Sequence, residues 1–229
     1  MGYVVEFCGL PTAGKSTLAR AVVAQLRLRG VPTTEVMATL GPDAGRSARL
    51  TRKIASIGLA AVEPGSVAVV TGVGLRSGQR DIRDRVARPA NLLVVRHAVR
   101  RARRRPGVHI LDQGPLQEWW SAALRADDRR VLRQSGADPA EHSDLMVRVE
   151  TPIPVLLARL AARGPRQSRL EAVGPEEQRR ELERGELLLD SLSDQLVHSS
   201  GLDGPGILRV DGQDPATAEA IAEVVVANA

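Results

Sequence analysis

Residues 9 to 16 read Gly-Leu-Pro-Thr-Ala-Gly-Lys-Ser, a full match to the spacing G-x-x-x-x-G-K-[ST]. Upstream stands Tyr3 to Cys8, an apolar run with two valines and Phe7 that has the length of a buried strand. Downstream, from Lys15 to Arg29, Leu18, Val22 and Leu26 recur at four-residue spacing until Gly30 offers a stop. This context of strand, glycine-rich turn and helix gives the string its meaning. Gly9 and Gly14 let the backbone curl into a concave nest, so that the segment from Thr12 and Ala13 through Thr17 can turn its N–H groups toward phosphate oxygens. Lys15 would then reach the outer phosphates and the Ser16 hydroxyl would ligate Mg²⁺, within the favourable field of the helix N-terminus.

Lysine is scarce in this chain, which sharpens the reading. Lys15 and Lys53 are the only lysines among 32 basic residues, and the net charge of +5 is therefore carried by arginine. An arginine bias of this kind follows from a GC-rich coding sequence or from polyanion handling, and a lysine retained against it is expected to need its own chemistry. With 229 residues, 43% hydrophobic and 26% charged, the chain can bury a sizeable core. It has no uncharged apolar run of membrane-spanning length, so neither a membrane-spanning nor a disordered protein is expected. The opening M-G-Y-V-V-E-F-C carries an acid and no basic region before it, unlike a secretory leader. The single cysteine, Cys8, precludes an intramolecular disulfide and suits a cytoplasmic protein.

Further along, Thr33 to Thr39 is a second strand, and residues 46 to 105 read as mostly helical. Pro64-Gly65, Gly72, Gly74, Gly78 and Pro89 punctuate that stretch. Val108 to Leu111 is a short strand ending at Asp112, and a helix follows through Trp119 and Trp120. Adjacent residues on a helix face different ways, so one tryptophan is expected in the core and at most one at a substrate. Leu145 to Val149 is a fourth strand, Ile153 to Arg163 an amphipathic helix, Pro175 to Val197 a long charged helix and Ile207 to Val210 a last strand. A terminal helix is expected from Asp214 to Ala227, with Asp214 as its cap and Pro215 in its first position. Strands alternating with helices at this spacing imply a parallel sheet covered on both faces, in one α/β domain over residues 1 to 229 with an insertion.

Two other features point to phosphate chemistry. An acid at the end of a strand neighbouring the phosphate loop can hold a magnesium-bound water or activate an acceptor hydroxyl, which singles out Asp112; His109, inside that strand, reads as a packed core residue. Arg159 and Arg163 share a helix face, and Gly164-Pro165 then releases the chain into a loop carrying Arg166 and Arg169. Convergent cations on a closing loop suit a phosphoryl group in transfer, because that reaction spreads charge over three oxygens and must exclude water.

In this order the phosphate loop, the strand ending in Asp112, Arg163 with R-L-E at 169 to 171, and R-V-D-G-Q-D-P at 209 to 215 resemble the thymidylate kinase branch of the P-loop nucleoside and nucleotide kinases. The likeness runs nearly end to end, although residues 40 to 105 match only in helical character. It implies a P-loop NTPase fold: three layers, a five-stranded parallel sheet in the order 2-3-1-4-5 with helices on both faces, and a short arginine-rich lid over about residues 163 to 174. It also implies ATP and Mg²⁺ as cofactors and a small-molecule acceptor. Arg159 would stack on adenine, the loop of Gly212, Asp214 and Pro215 would border the other side of the base, and Arg163, Arg166 and Arg169 would clamp phosphates. Lys15 and Asp112 would be catalytic, with Ser16 and Asp112 at the metal.

Departures from that pattern fall on the acceptor side. Gln113 and Gly114 stand where thymidylate kinases follow the acid with Arg and Tyr, and T-L-G-P-D-A-G-R at 39 to 46 replaces the family's R-E-P-G. The expected activity is therefore transfer of the γ-phosphate of ATP to a small acceptor, a nucleoside, nucleotide or similar metabolite, with another hydroxyl acceptor such as an antibiotic as the near variant. A regulatory ATPase and a polynucleotide kinase are the other readings. The latter draws on R-H-A-V-R-R-A-R-R-R at 96 to 105, whose arginines helical spacing spreads around a solvated face. The apolar stretch Ser66 to Gly74 predicts a homodimer through the helices between Arg46 and Arg85, or else burial within the monomer.

Overall fold

In the computed structural model, strand β1 (Tyr3–Gly9) is buried along all but its first residue, as its apolar run requires of a central strand. The structure describes residues 1–36, 82–124, 143–162, 173–199 and 206–229, together with the single residues 58, 65, 68, 71, 73, 78, 126 and 170. Five strands form one wholly parallel sheet: β1, β2 (Thr33–Glu35), β3 (Val108–Leu111), β4 (Leu145–Glu150) and β5 (Gly206–Asp211). Their spatial order is β2-β3-β1-β4-β5, the order that the resemblance implies. Helix α1 (Lys15–Leu28) follows the glycine-rich turn, and α2 (Ile82–Arg103) and α3 (Pro115–Ala123) flank β3 in the chain. The series continues with α4 (Ile153–Ala162), α5 (Pro175–Ser199) and α6 (Thr217–Asn228).

Parallel register brings the chemistry to one edge. Glu6 is level with Leu111, and Gly9 with Val149, which is level with Val210, so the turns after β1, β3, β4 and β5 leave the sheet together at its C-terminal edge. Helices α1 and α6 pack against each other, while α2 and α3 lie together against β1 on the opposite face. Val4 and Leu111 meet Val95, Val99 and Ala102 of α2 on that second face. Its lining is partly polar, because Glu6 of β1 and Arg148 of β4 are both buried there.

Three expectations are corrected. Pro89, read as punctuation, lies inside α2. Proline removes one helical hydrogen bond at a cost of about 3 kcal/mol. Burial of Leu92, Leu93, Val94 and Val95 directly after it favours continuing the helix. The terminal helix begins at Thr217, not at Asp214. Asp214 closes a turn instead: its Oδ1 accepts the Ala216 N–H at 2.9 Å and its carbonyl accepts the Thr217 N–H at 3.2 Å. Both tryptophans are core residues, because α3 is enclosed by β1, α2 and α5 and buries nearly every side chain it has. Trp120 donates its indole N–H to the Gly185 carbonyl of α5 at 2.7 Å.

Among the described residues no helix is long and apolar enough to cross a membrane. Of the proposed dimer segment Ser66 to Gly74, only residues 68, 71 and 73 are described, so that expectation lies outside the described residues.

Candidate active site

The turn after β1 holds the backbone conformations that the glycine positions require. Gly9 has φ 153° and Gly14 φ 99°, and a Cβ on Gly9 would come within 2.6 Å of the Val149 carbonyl of β4. Gly14 is the N-cap of α1, and no side chain caps it among the described residues. The helix has no acid in its first turn, so its leading N–H groups face the turn with their positive end of the dipole. Thr17 is exposed in that first turn. Lys15 lies over the loop, its Nζ donating to the carbonyls of Gly9 at 2.9 Å and Leu10 at 2.8 Å.

The loop is braced from every neighbouring element. From α3, Gln117 Oε1 accepts the Gly9 N–H at 3.1 Å. Thr151, just after β4, donates its hydroxyl to the Ala13 carbonyl at 3.1 Å. From α4, Arg159 donates to the Thr12 carbonyl at 3.1 Å. The Thr12 hydroxyl lies 3.2 Å from the Leu156 carbonyl. Gly212, after β5, is pressed against the loop so closely that a Cβ would stand 2.7 Å from both the Ala13 carbonyl and Thr151 Oγ1. Such bracing fixes the shape of the nest from the surrounding elements, which is how a protein prepares donors for an anion in advance.

Ser16 donates its hydroxyl to Asp112 Oδ2 at 3.0 Å, joining the start of α1 to the residue that follows β3. The two are 96 positions apart in the chain and both are accessible from solvent. A hydroxyl beside a carboxylate is a hard oxygen pair. Such a pair fits Mg²⁺, which takes one or two protein oxygens and completes its shell with water and phosphate. Among the described residues no group of three or more His, Cys, Asp or Glu could form an all-protein metal cage.

Arg159 and Gly212 approach Gly14 from two sides: a Cβ on Gly14 would lie 3.8 Å from both the Arg159 guanidinium and the Gly212 carbonyl. Thus Gly9, Thr12, Ala13, Gly14, Lys15, Ser16, Asp112, Arg159 and Gly212 are gathered at one sheet edge. Asp214 and Pro215 are exposed in the following turn, where Asp214 holds its own backbone. Arg163, Arg166 and Arg169 lie outside the described residues, as does most of the expected lid. His109 is a buried core residue whose Nε2 stands 3.1 Å from the Arg105 carbonyl. Cys8 is likewise part of the core; burial first and the charge of Glu6 second push its thiol up to about 12.

Gln117 and Thr151 carry no sequence signal for these contacts, since each is a polar residue whose partner lies more than a hundred positions away. Glu6 is the third residue of this kind. It is 1% exposed, accepts hydrogen bonds from Gln117 and Ser143, and burial first of all pushes its carboxyl up to about 7.

A family model described as an AAA domain matches residues 4–185. No curated protein matches the sequence. Among solved structures, deoxyadenosine kinase from M. mycoides, with products dCMP and a flexible dCDP bound, aligns over 98% of this chain and 96% of that chain. Its TM-score of 0.49 and 14% identity make it too distant to carry an argument.

Proposed function

The chain belongs to the AAA domain family, and on that premise we propose that it is an ATP-dependent phosphotransferase acting on a small acceptor. The observation that carries the reading is the 3.0 Å bond between Ser16 and Asp112 at the open end of the braced loop. A serine hydroxyl against a carboxylate at this edge is the oxygen pair that would hold Mg²⁺ and its water beside the phosphates, and the same carboxylate is placed to take a proton from an attacking hydroxyl. The acceptor class is a nucleoside, nucleotide or nucleoside-like metabolite.

In this mechanism the N–H groups from Ala13 to Thr17 bind the phosphate chain, and Lys15 exchanges the Gly9 and Leu10 carbonyls for β- and γ-phosphate oxygens. Mg²⁺, held by Ser16 with Asp112 beside it, would neutralise charge on those phosphates. Arg159 and the turn at Gly212 flank the loop on the side where the base of ATP would lie. Asp112 orients the acceptor or removes its proton. Arg163, Arg166 and Arg169 supply further positive charge from the segment after α4.

The test is transfer of labelled γ-phosphate to a panel of nucleosides, nucleotides and aminoglycoside-like alcohols. Lys15→Ala should lower transfer on the order of a thousandfold with the melting temperature retained, and Asp112→Asn on the order of a hundredfold with ATP still bound. ATP hydrolysis with no labelled acceptor across the panel would favour a regulatory ATPase. Near-native transfer by Lys15→Ala would remove the loop from the reaction.

A further inference from the structure

Glu6 stands in the middle of β1, three residues before Gly9, on a strand that is otherwise apolar from Tyr3 to Cys8. A carboxylate so placed is costly unless it is hydrogen-bonded, and its bonds are specific. Oε1 accepts the backbone N–H of Gln117 at 3.1 Å, and the Leu116 N–H also points to the carboxylate. Oε2 accepts the Ser143 hydroxyl at 3.2 Å. Gly114, the N-cap of α3, has no side-chain cap of its own and lies so close that any Cβ would run into the Glu6 carboxylate. The cap of α3 is therefore supplied from the neighbouring strand. From the same helix turn, the Gln117 side chain, 6% exposed, accepts the Gly9 N–H at 3.1 Å.

One buried chain of bonds thus runs from Ser143 to Glu6, to the first turn of α3, to Gln117 and to the phosphate loop. Asp112 is only two residues before Gly114, so the short turn Asp112-Gln113-Gly114 is stretched between β3 and the clamped helix end. We propose that Glu6 and Gln117 are positioning residues for phosphoryl transfer: Glu6 fastens the start of α3, and the fastened helix sets Asp112 on one side and Gly9 on the other. The inference rests on the phosphotransferase reading. Its physical content is that the distance between acid and phosphate loop is set from inside the core. Misplacement of reacting groups by about 1 Å can lower turnover on the order of a hundredfold, whereas ATP affinity is spread over the whole nest and should change little.

The experiment measures transfer of labelled γ-phosphate from Mg-ATP to the acceptor labelled in the panel above, and calorimetric binding of Mg-ATP, in the whole 229-residue chain. Rates are expressed per folded molecule from tryptophan fluorescence melts. Gln117→Met keeps the length of the side chain and removes the strong acceptor. It should lower kcat by about tenfold or more while KM for ATP stays within about threefold, and raise the Mg²⁺ concentration for half-maximal rate. Gln117→Glu, which still offers an oxygen to the Gly9 N–H, should recover most of that loss. Gln117→Asn withdraws the amide by one methylene and should resemble Gln117→Met. Glu6→Leu should lose turnover in the same pattern, and Glu6→Gln, which keeps an oxygen for the Gln117 N–H, should recover most of it.

If the Met and Asn variants turn over normally per folded molecule, the bonds serve stability alone and the inference is overturned. The same conclusion follows if both fail to fold. If the wild-type chain labels no acceptor in the panel, whether or not it binds or hydrolyses Mg-ATP, the phosphotransferase reading falls and takes the inference with it.

Discussion

Glu6 and Arg148 are both buried on the same face of the sheet, on the neighbouring strands β1 and β4, yet they are held by opposite means. Arg148 meets carboxylates: its guanidinium donates to Asp190 of α5 and lies 3.3 Å from Glu150, and Arg209 of β5 joins the same two acids. Burial alone would raise the Asp190 carboxyl, but the hydrogen bond and charge of Arg148, with those of Arg209, hold it below its ordinary value. Among the described residues Glu6 is hydrogen-bonded by dipoles, two backbone N–H groups and one hydroxyl, and burial first of all, with the charge of Glu118 adding to it, pushes its carboxyl up to about 7. Burial raises both carboxyls; at partly exposed Asp190 the arginines outweigh it, whereas at Glu6 the dipoles lower the value by less than burial raises it.

The largest expected effect breaks this comparison through pH. The folded-state value of Glu6 lies above its ordinary 4.5. Its contribution to stability is therefore fully present below about pH 4.5 and is lost as pH rises through about 7, because over that range the unfolded chain releases a proton that the folded one keeps. The full change is about 3 kcal/mol at about 1.4 kcal/mol per pKa unit. Glu6→Gln does not titrate, so its stability relative to wild type should improve by about that amount between pH 4.5 and 8. Asp190, displaced downward, contributes stability that is lost only as pH falls below its ordinary value, and adds no slope in this window. Urea unfolding at pH 4.5, 6 and 8 measures the difference, and parallel profiles for wild type and variant would mean that Glu6 titrates like an exposed glutamate.

The same two residues mark where sequence reasoning stops. The spans of α1 and β3 are legible because Gly14, Gly30, Pro106-Gly107 and Asp112 bound them with local signals. The pairing of Ser16 with Asp112 is legible for a related reason: each stands at the end of an element whose direction was already known. Glu6, Gln117 and Thr151 are not legible, because nothing within a few residues of them records a partner more than a hundred positions away. Pro89 and the paired tryptophans fail for another reason. Local rules place punctuation at Pro89 and only one of the two tryptophans in the core, and burial of α2 and α3 on several sides overrides both.

A second effect sharpens the comparison by volume in place of charge. Gly185 lies inside α5, where alanine would ordinarily be favoured by about 1 kcal/mol. Here a Cβ would stand 2.9 Å from the Trp120 ring and 3.2 Å from Leu10, the residue after Gly9. Gly185→Ala should therefore destabilise by about 1–2 kcal/mol net, because overpacking a filled site outweighs the propensity gain. Trp120 fluorescence should shift with it, since the bond from its indole to the Gly185 carbonyl must move. An alanine variant as stable as wild type would show that the layer under the loop yields to volume and is exacting only about charge.

The smallest effect belongs to the loop itself. Thr12 has φ 66°, a conformation that a β-branched residue rarely adopts and that costs on the order of 1 kcal/mol or more. Glycine would remove that strain. It would also remove the hydroxyl that lies 2.6 Å from the Pro11 carbonyl and 3.2 Å from that of Leu156, and it would give the unfolded chain more freedom to lose. One of these terms favours glycine and two oppose it, each about 1 kcal/mol, so Thr12→Gly should lower stability by about 1 kcal/mol. The Arg159 bond to the Thr12 carbonyl is made by backbone and survives the change, so Mg-ATP affinity should hold within a few fold. A loss above about 2 kcal/mol would mean that the hydroxyl anchors the loop to α4 more firmly than the strain opposes it, and the loop would then share the rigidity of the buried layer beneath it.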